Sequence, residues 1–138
     1  MPLVRLDVPT RARCELVEIT ELVRSALRQQ GARDGAVLVY SPHTTAGITI
    51  QENADPDVRH DLLLALEIAV PDQPPRGGYR HAEGNSPAHV KTSLVGASQL
   101  VPISGGELQL GTWQGIYLCE FDGPRRRQVC LSLLAERG

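Results

Sequence analysis

Four histidines, His43, His60, His81 and His89, fall in or beside polar junctions of a 138-residue chain rather than inside its apolar runs. Imidazole titrates near neutrality, which makes it the commonest general acid or base and the commonest metal ligand. His43 stands in SPHTTAGITIQEN, between the strand-like VLVY and GITI, with Thr44 and Thr45 beside it. His81 and His89 flank YRHAEGNSPAH together with Glu83, Gly84 and Asn85. Imidazoles from these two loops could converge on one divalent ion with an open coordination position, the arrangement of catalytic zinc. Taken singly, a histidine is more often a surface or satisfied structural residue.

Carboxylates and cations extend the set. Glu52, Asn53, Asp55 and Asp57 cluster at the end of the GITIQ run, where a side chain can reach a magnesium ion or a water, although Asp55 also reads as a helix cap. Period-2 alternation puts Glu120 on one strand face with Gln114, Ile116 and Leu118, so its carboxylate must be either paired or raised in pKa. Arg80, Lys91 and the amides opening a helix at Pro87 could hold a phosphate. His81-Ala82-Glu83 matches half of the zinc-deaminase signature, but no two of Cys14, Cys119 and Cys130 lie close enough to complete it. No HExxH helix, P-loop or GxSxG elbow is present.

These residues need a scaffold, and the length suits one domain over residues 1–138. Strands are expected at Leu3 to Val8, Arg13 to Val17, Ala36 to Tyr40, Gly47 to Gln51, Gln99 to Ile103, Leu108 to Leu110, Gln114 to Phe121 and Gln128 to Leu134. The Ala36 to Tyr40 run is apolar almost throughout and reads as covered on both sides. Helices are expected from Thr20 to Gln30, closed by Gly31, from Asp55-Pro56 to Ala69, and from Ser86-Pro87 to near Gly96. Leu22, Val23, Ala26 and Leu27 form the buried stripe of the first, and Val90 and Leu94 that of the third. The Pro-, Gly- and Arg-rich segment from Pro71 to Pro87 reads as a long loop, of the kind that is either functional or disordered. The class is α+β with mostly antiparallel sheet.

Lys+Arg 14 against Asp+Glu 16, with no basic block, argues against nucleic acid. The longest apolar runs fall well short of the roughly 18 residues of a membrane span, and the N-terminus lacks a signal-peptide pattern. Three widely spaced cysteines fit reduced thiols in a cytoplasmic protein.

SPHTTAGITIQENADPDV, YRHAEGNSPAHVKTSLVG and VPISGGELQLGTWQGIYLCEFDGPRRRQV, in that order, closely resemble the YjbQ family, often labelled secondary thiamine-phosphate synthase enzymes. The resemblance spans about Leu3 to Leu134. It implies a barrel-like antiparallel sheet with about three helices, assembled as a homotrimer, an assembly that would also cover the two apolar faces of Gln114 to Phe121. It implies thiamine-phosphate synthase-type activity on a phosphorylated small molecule, in which a hydroxymethylpyrimidine diphosphate loses pyrophosphate to a thiazole phosphate. Position by position, the family's polar residues fall on His43, Glu52, His81, Glu83, His89 and Glu120 as catalytic groups, and on Thr44, Thr45, Asn53, Asn85, Lys91, Ser93, Trp113 and Gln114 as substrate contacts, with Trp113 stacking on the pyrimidine. His43, His81 and His89 become ligands to zinc or magnesium. His60 departs from the family pattern and is not expected to be essential. A metal-dependent hydrolase of a small phosphorylated substrate and a non-enzymatic, ligand-binding trimer use the same residues.

Overall fold

A computed structural model describes residues 3–137. Every strand pairing in it is antiparallel. β1 (Val4–Pro9) and β2 (Glu15–Glu18) lead into α1 (Thr20–Gln30), followed by β3 (Ala32–Tyr40), β4 (Ala46–Glu52), α2 (Pro56–Ala69) and α3 (Ser86–Val95). β5 (Ser98–Ser104), β6 (Glu107–Leu108), β7 (Gln114–Glu120) and β8 (Arg126–Arg137) complete the chain. One sheet has the order β1-β8-β3-β5-β6 and the other the order β2-β7-β4. Their facing sides share one core, in which Val37, Val39, Val101, Val129, Leu131 and Leu133 from the first meet Ala46, Ile48, Ile116 and Leu118 from the second. α1 closes that core with Val23, Ala26 and Leu27. This is the expected α+β class with three helices, and the two curved sheets make the barrel-like body.

The helix ends follow their capping chemistry. Gly31 adopts the left-handed conformation (φ 65°) that closes α1, and the Asp55 side chain accepts the Asp57 N–H with Pro56 at the first helical position. Thr20 does not cap α1; it is the first helical residue, and its hydroxyl instead accepts the Ile116 N–H and bonds Glu18. The helix stripes differ from expectation in two places. Leu22 is exposed while Thr20 is buried, and on α3 the buried residues are Pro87, Ala88, Lys91 and Thr92, leaving Val90 and Leu94 in the open. α3 carries apolar side chains on both sides, so its 3.6-residue period leaves the buried face to be chosen by what it packs on. What it packs on is β4 together with the end of β7: Val95 and Gly96 lie against Gly47, and Ala88 joins Cys119 and Phe121, with Leu63 and Leu66 of α2 against them.

β7 is therefore covered on both faces within one chain, by the first sheet on one side and by α2 and α3 on the other. The uncovered face belongs to β3 and its neighbours. Val37 and Val39 point inward, but Tyr40, Leu100 and Leu134 stand exposed on the other side of the same sheet. β3 also starts earlier than its apolar run, because Ala32 and Gly35 both pair with β8 across an irregularity that takes in the polar Arg33 and Asp34. The junction of α3 with β4 is tight. A Cβ on Gly47 would lie 2.6 Å from the Gly96 carbonyl, which accepts the Ile48 N–H at 3.0 Å. That contact fixes α3 to the start of β4, and with it His89 to the loop that carries His43. No helix among the described residues is long and apolar enough to cross a membrane.

Candidate active site

The segment 41–45 is shaped from within. The buried Ser41 hydroxyl donates to the Ala46 carbonyl at 2.6 Å, and the Ser41 N–H donates to Ala97 O at 2.8 Å. His43 is thereby carried to β8, where its Nε2 accepts the Gln128 N–H at 2.9 Å. A backbone N–H aimed at Nε2 requires that nitrogen to be unprotonated, so the ring proton sits on Nδ1. Burial and the neighbouring Arg127 guanidinium hold the His43 pKa below its ordinary value. The imidazole is accordingly neutral at neutral pH, with Nδ1 as its donor atom.

Below it lies a buried ion pair. Arg127 donates through Nε to Glu120 Oε1 (2.8 Å) and through Nη2 to Glu120 Oε2 (2.5 Å), in the two-pronged geometry that makes guanidinium–carboxylate pairs strong. Thr10 Oγ1 donates to Oε1 at 2.7 Å and the Asp122 N–H to Oε2 at 3.0 Å, so both carboxylate oxygens are fully engaged. Burial alone would raise the Glu120 pKa, but these donors, Arg127 foremost, hold it below the usual carboxylate range. Nη2 of Arg127 also donates to Thr45 Oγ1 at 2.8 Å. The pair thus joins β8 of one sheet to β7 of the other and to the segment entering β4.

Above it opens a cavity of about 310 Å³ lined by His43, Thr44, Thr45, Glu83, Asn85, His89, Asp122, Arg125 and Arg127. Arg125 reaches Asp122 with Nη2 (3.0 Å) and Nε (2.8 Å to the carbonyl), and Asn85 Nδ2 donates to the same carboxylate at 2.8 Å. Burial would raise the Asp122 pKa, yet the Asn85 and Arg125 donors keep it below its ordinary value. Asn85 Oδ1 is buried and accepts no hydrogen bond from any of the described residues.

The expected residues therefore divide. His43, Thr44, Thr45, Glu83, Asn85 and His89 line one cavity. His81 does not line it; its ring packs edge-on against His89, with centroids 5.2 Å apart, and its Nε2 is 3.6 Å from Glu83. Glu120 is fully buried beneath the cavity, where it positions Arg127 rather than meeting a substrate. Glu52, Asn53, Trp113 and Gln114 sit at the far end of the β4–β7 ladder: Ala46 pairs with Glu120 but Glu52 with Gln114, six residues or roughly 20 Å away. There Trp113 is 63 % exposed, Asn53 bonds Glu18, the Glu52 carbonyl accepts from Tyr117, and Gln114 accepts the Gly111 N–H. Ser93 bonds back to the His89 carbonyl on the exposed side of α3, Lys91 faces a different cavity, and His60 pairs with Asp61 at the surface.

Among the described residues no three His, Cys, Asp or Glu side chains are placed to hold a metal ion, and the Nε2 of His43 is already engaged. The three-histidine metal set is not preassembled. Sequence reasoning missed Arg125, Asp122 and Arg127. Alternation along β8 could have found the third, since it places Arg127 on the face of Val129, Leu131 and Leu133, the same sign of an inward charge that singles out Glu120. Removing one partner strands the other charge in the core. Arg127→Met is expected to lower unfolding stability by about 3–5 kcal/mol in urea titrations, whereas a loss below about 1 kcal/mol, the value of a surface pair, would show that the ion pair is not structural.

The UPF0047 protein YjbQ-like family model matches residues 4–136. UPF0047 protein MJ1081 of Methanocaldococcus jannaschii is 47 % identical over 135 residues, covering 98 % of this chain and 96 % of that protein. UPF0047 protein YugU of Bacillus subtilis is 50 % identical over 129 residues, covering 94 % and 96 %. Among solved structures, an uncharacterized conserved YjbQ/UPF0047 protein of Clostridium acetobutylicum superposes with TM-score 0.89 at 49 % identity, over 95 % of this chain and 99 % of that one. A hypothetical protein of Aeropyrum pernix gives TM-score 0.90 at 33 % identity, over 99 % and 100 %. The chain belongs to the UPF0047 protein YjbQ-like family.

Proposed function

We propose that the cavity of His43, His89, Arg125 and Arg127 is the active site of a small-molecule transferase of thiamine-phosphate synthase type. The observation that carries this reading is the meeting of two guanidiniums and two imidazoles around a 310 Å³ space with one buried, unsatisfied amide oxygen. In such a reaction the C–O bond between the pyrimidine's methylene and its diphosphate breaks, and pyrophosphate leaves with the electron pair. The thiazole nitrogen donates its lone pair to the same carbon, giving a C–N bond and a cationic thiazolium, so no proton has to be removed. The demand on the protein is to hold negative charge as it gathers on the leaving group.

Arg125 and Arg127 meet that demand. The hydrogen bonds of Arg127 run through Nε and Nη2, which leaves Nη1 to donate to a diphosphate oxygen. His43, neutral and protonated on Nδ1, adds a donor without needing to titrate. Asn85 Oδ1 suits an N–H of the pyrimidine, the partner it lacks within the chain. Trp113 is too far along β7 to be the stacking platform within one subunit.

With both substrates present, purified protein is expected to form thiamine phosphate, followed by chromatography of the product. Arg125→Met and His89→Asn should each lower kcat/KM by about a hundredfold or more with unchanged circular dichroism. Release of phosphate or pyrophosphate from the pyrimidine diphosphate without the thiazole would mean a hydrolase, and binding without any turnover would end the enzymatic reading.

We also propose a homotrimer, in which subunits cover the face of the five-stranded sheet that exposes Tyr40, Leu100 and Leu134. Sedimentation equilibrium should give three times the chain mass for the wild type and a lower mass for Leu134→Glu; a wild-type monomer would contradict it.

A further inference from the structure

Alternation along β7 turns Glu120 toward the histidine cavity and Phe121 to the opposite face, under α2 and α3. On that face lies Lys91, only 3 % exposed. Its ammonium stands 5.9 Å from the centroid of the Phe121 ring. Among the described residues it makes no hydrogen bond and no ion pair. A cation–π contact offsets only part of the cost of withdrawing an ammonium from water, so this lysine is a buried charge short of its counter-ion.

It opens on a cavity of about 240 Å³ with Phe121, Leu63, Leu66 and Cys14. Two charged side chains complete the lining. Arg13 is more than half exposed and leans toward Asp72 at 3.9 Å, and Glu67 is exposed on α2 without reaching Lys91. The space is smaller than the ~300 Å³ at which drug-sized pockets begin. Its apolar wall is Cys14, Leu63, Leu66 and Phe121, and Lys91 is the one buried charge on it.

We propose that this cavity binds a small molecule carrying one carboxylate on a short apolar body, at a site separate from the histidine cavity. The carboxylate supplies the charge-assisted hydrogen bond that Lys91 lacks, and Leu63, Leu66 and Phe121 take the apolar body. One buried ammonium matches a single negative charge. Glu67 in the lining works against a phosphate dianion, which would leave a second charge uncompensated.

The test uses the full-length protein and defined probes. Isothermal titration with butyrate and hexanoate should give saturable binding that hexanol does not, and saturating inorganic phosphate, which the histidine cavity would hold, should leave that binding in place. Lys91→Met should weaken it about tenfold or more, the loss of one hydrogen bond to a charged group, while His89→Asn leaves it unchanged. If Lys91→Met fails to fold, intermolecular NOEs in the wild type between hexanoate methyl protons and Leu63, Leu66 and Phe121 answer the same question without a variant. Displacement of the carboxylate by phosphate, equal binding by Lys91→Met, the absence of saturable carboxylate binding or the absence of those NOEs would each overturn the proposal.

Discussion

The pairing of Arg127 with Glu120 holds together the parts of this molecule that matter for chemistry. The two side chains come from strands of different sheets, and neither is exposed to water. A buried pair of this kind is tolerable only when the remaining donors and acceptors are also satisfied. Thr10, Thr45 and the Asp122 N–H satisfy them, and in doing so they tie the end of β1, the entry to β4 and the turn after β7 to one point. The cavity is the space left above that knot, and its shape depends on the knot staying closed.

Electrostatic consequences follow from the same arrangement. Glu120 cannot act as a general acid or base, because four donors stabilise its charged form and no face of it meets solvent. Arg127, with most of its charge neutralised by Glu120, also lines the cavity, and its Nη1 is engaged by no group among the described residues. His43 sits close enough to that guanidinium, and is buried enough, to be kept neutral. A neutral imidazole beside two guanidiniums favours binding and orienting an anion over moving protons, which is the balance a pyrophosphate leaving group requires.

Much of the scaffold was legible in the sequence. Cap-and-proline pairs set the starts of α2 and α3, Gly31 the end of α1, and alternation most of the strands. Boundaries slipped where pairing with a neighbour overrode local polarity, as in Ala32 to Gly35. The buried face of α3 was misjudged because Val90 and Leu94 compete with Ala88 and Lys91 on apolar character alone; only contact with Phe121 decides between them. For the site, the motifs around His43 and His89 group His43, Thr45, Asn85 and His89, which line one cavity. They also grouped Glu52, Asn53 and Trp113 with them, since adjacency in a motif does not reveal that a strand carries its two ends roughly 20 Å apart. The arginines went unnoticed for the opposite reason: a run of three at 125–127 looks like a solvated surface until the inward position of the third is counted.

The claim at the centre of this account is that a diphosphate group is held between Arg125 and Arg127 beside His89. A crystal structure of the protein soaked with pyrophosphate tests it most directly. The account predicts density in that cavity, with Nη1 of Arg127 and the Arg125 guanidinium within hydrogen-bonding distance of phosphate oxygens and the Arg127–Glu120 pair intact beneath. Pyrophosphate ordered elsewhere on the chain, with this cavity holding only water at saturating concentration, would contradict it.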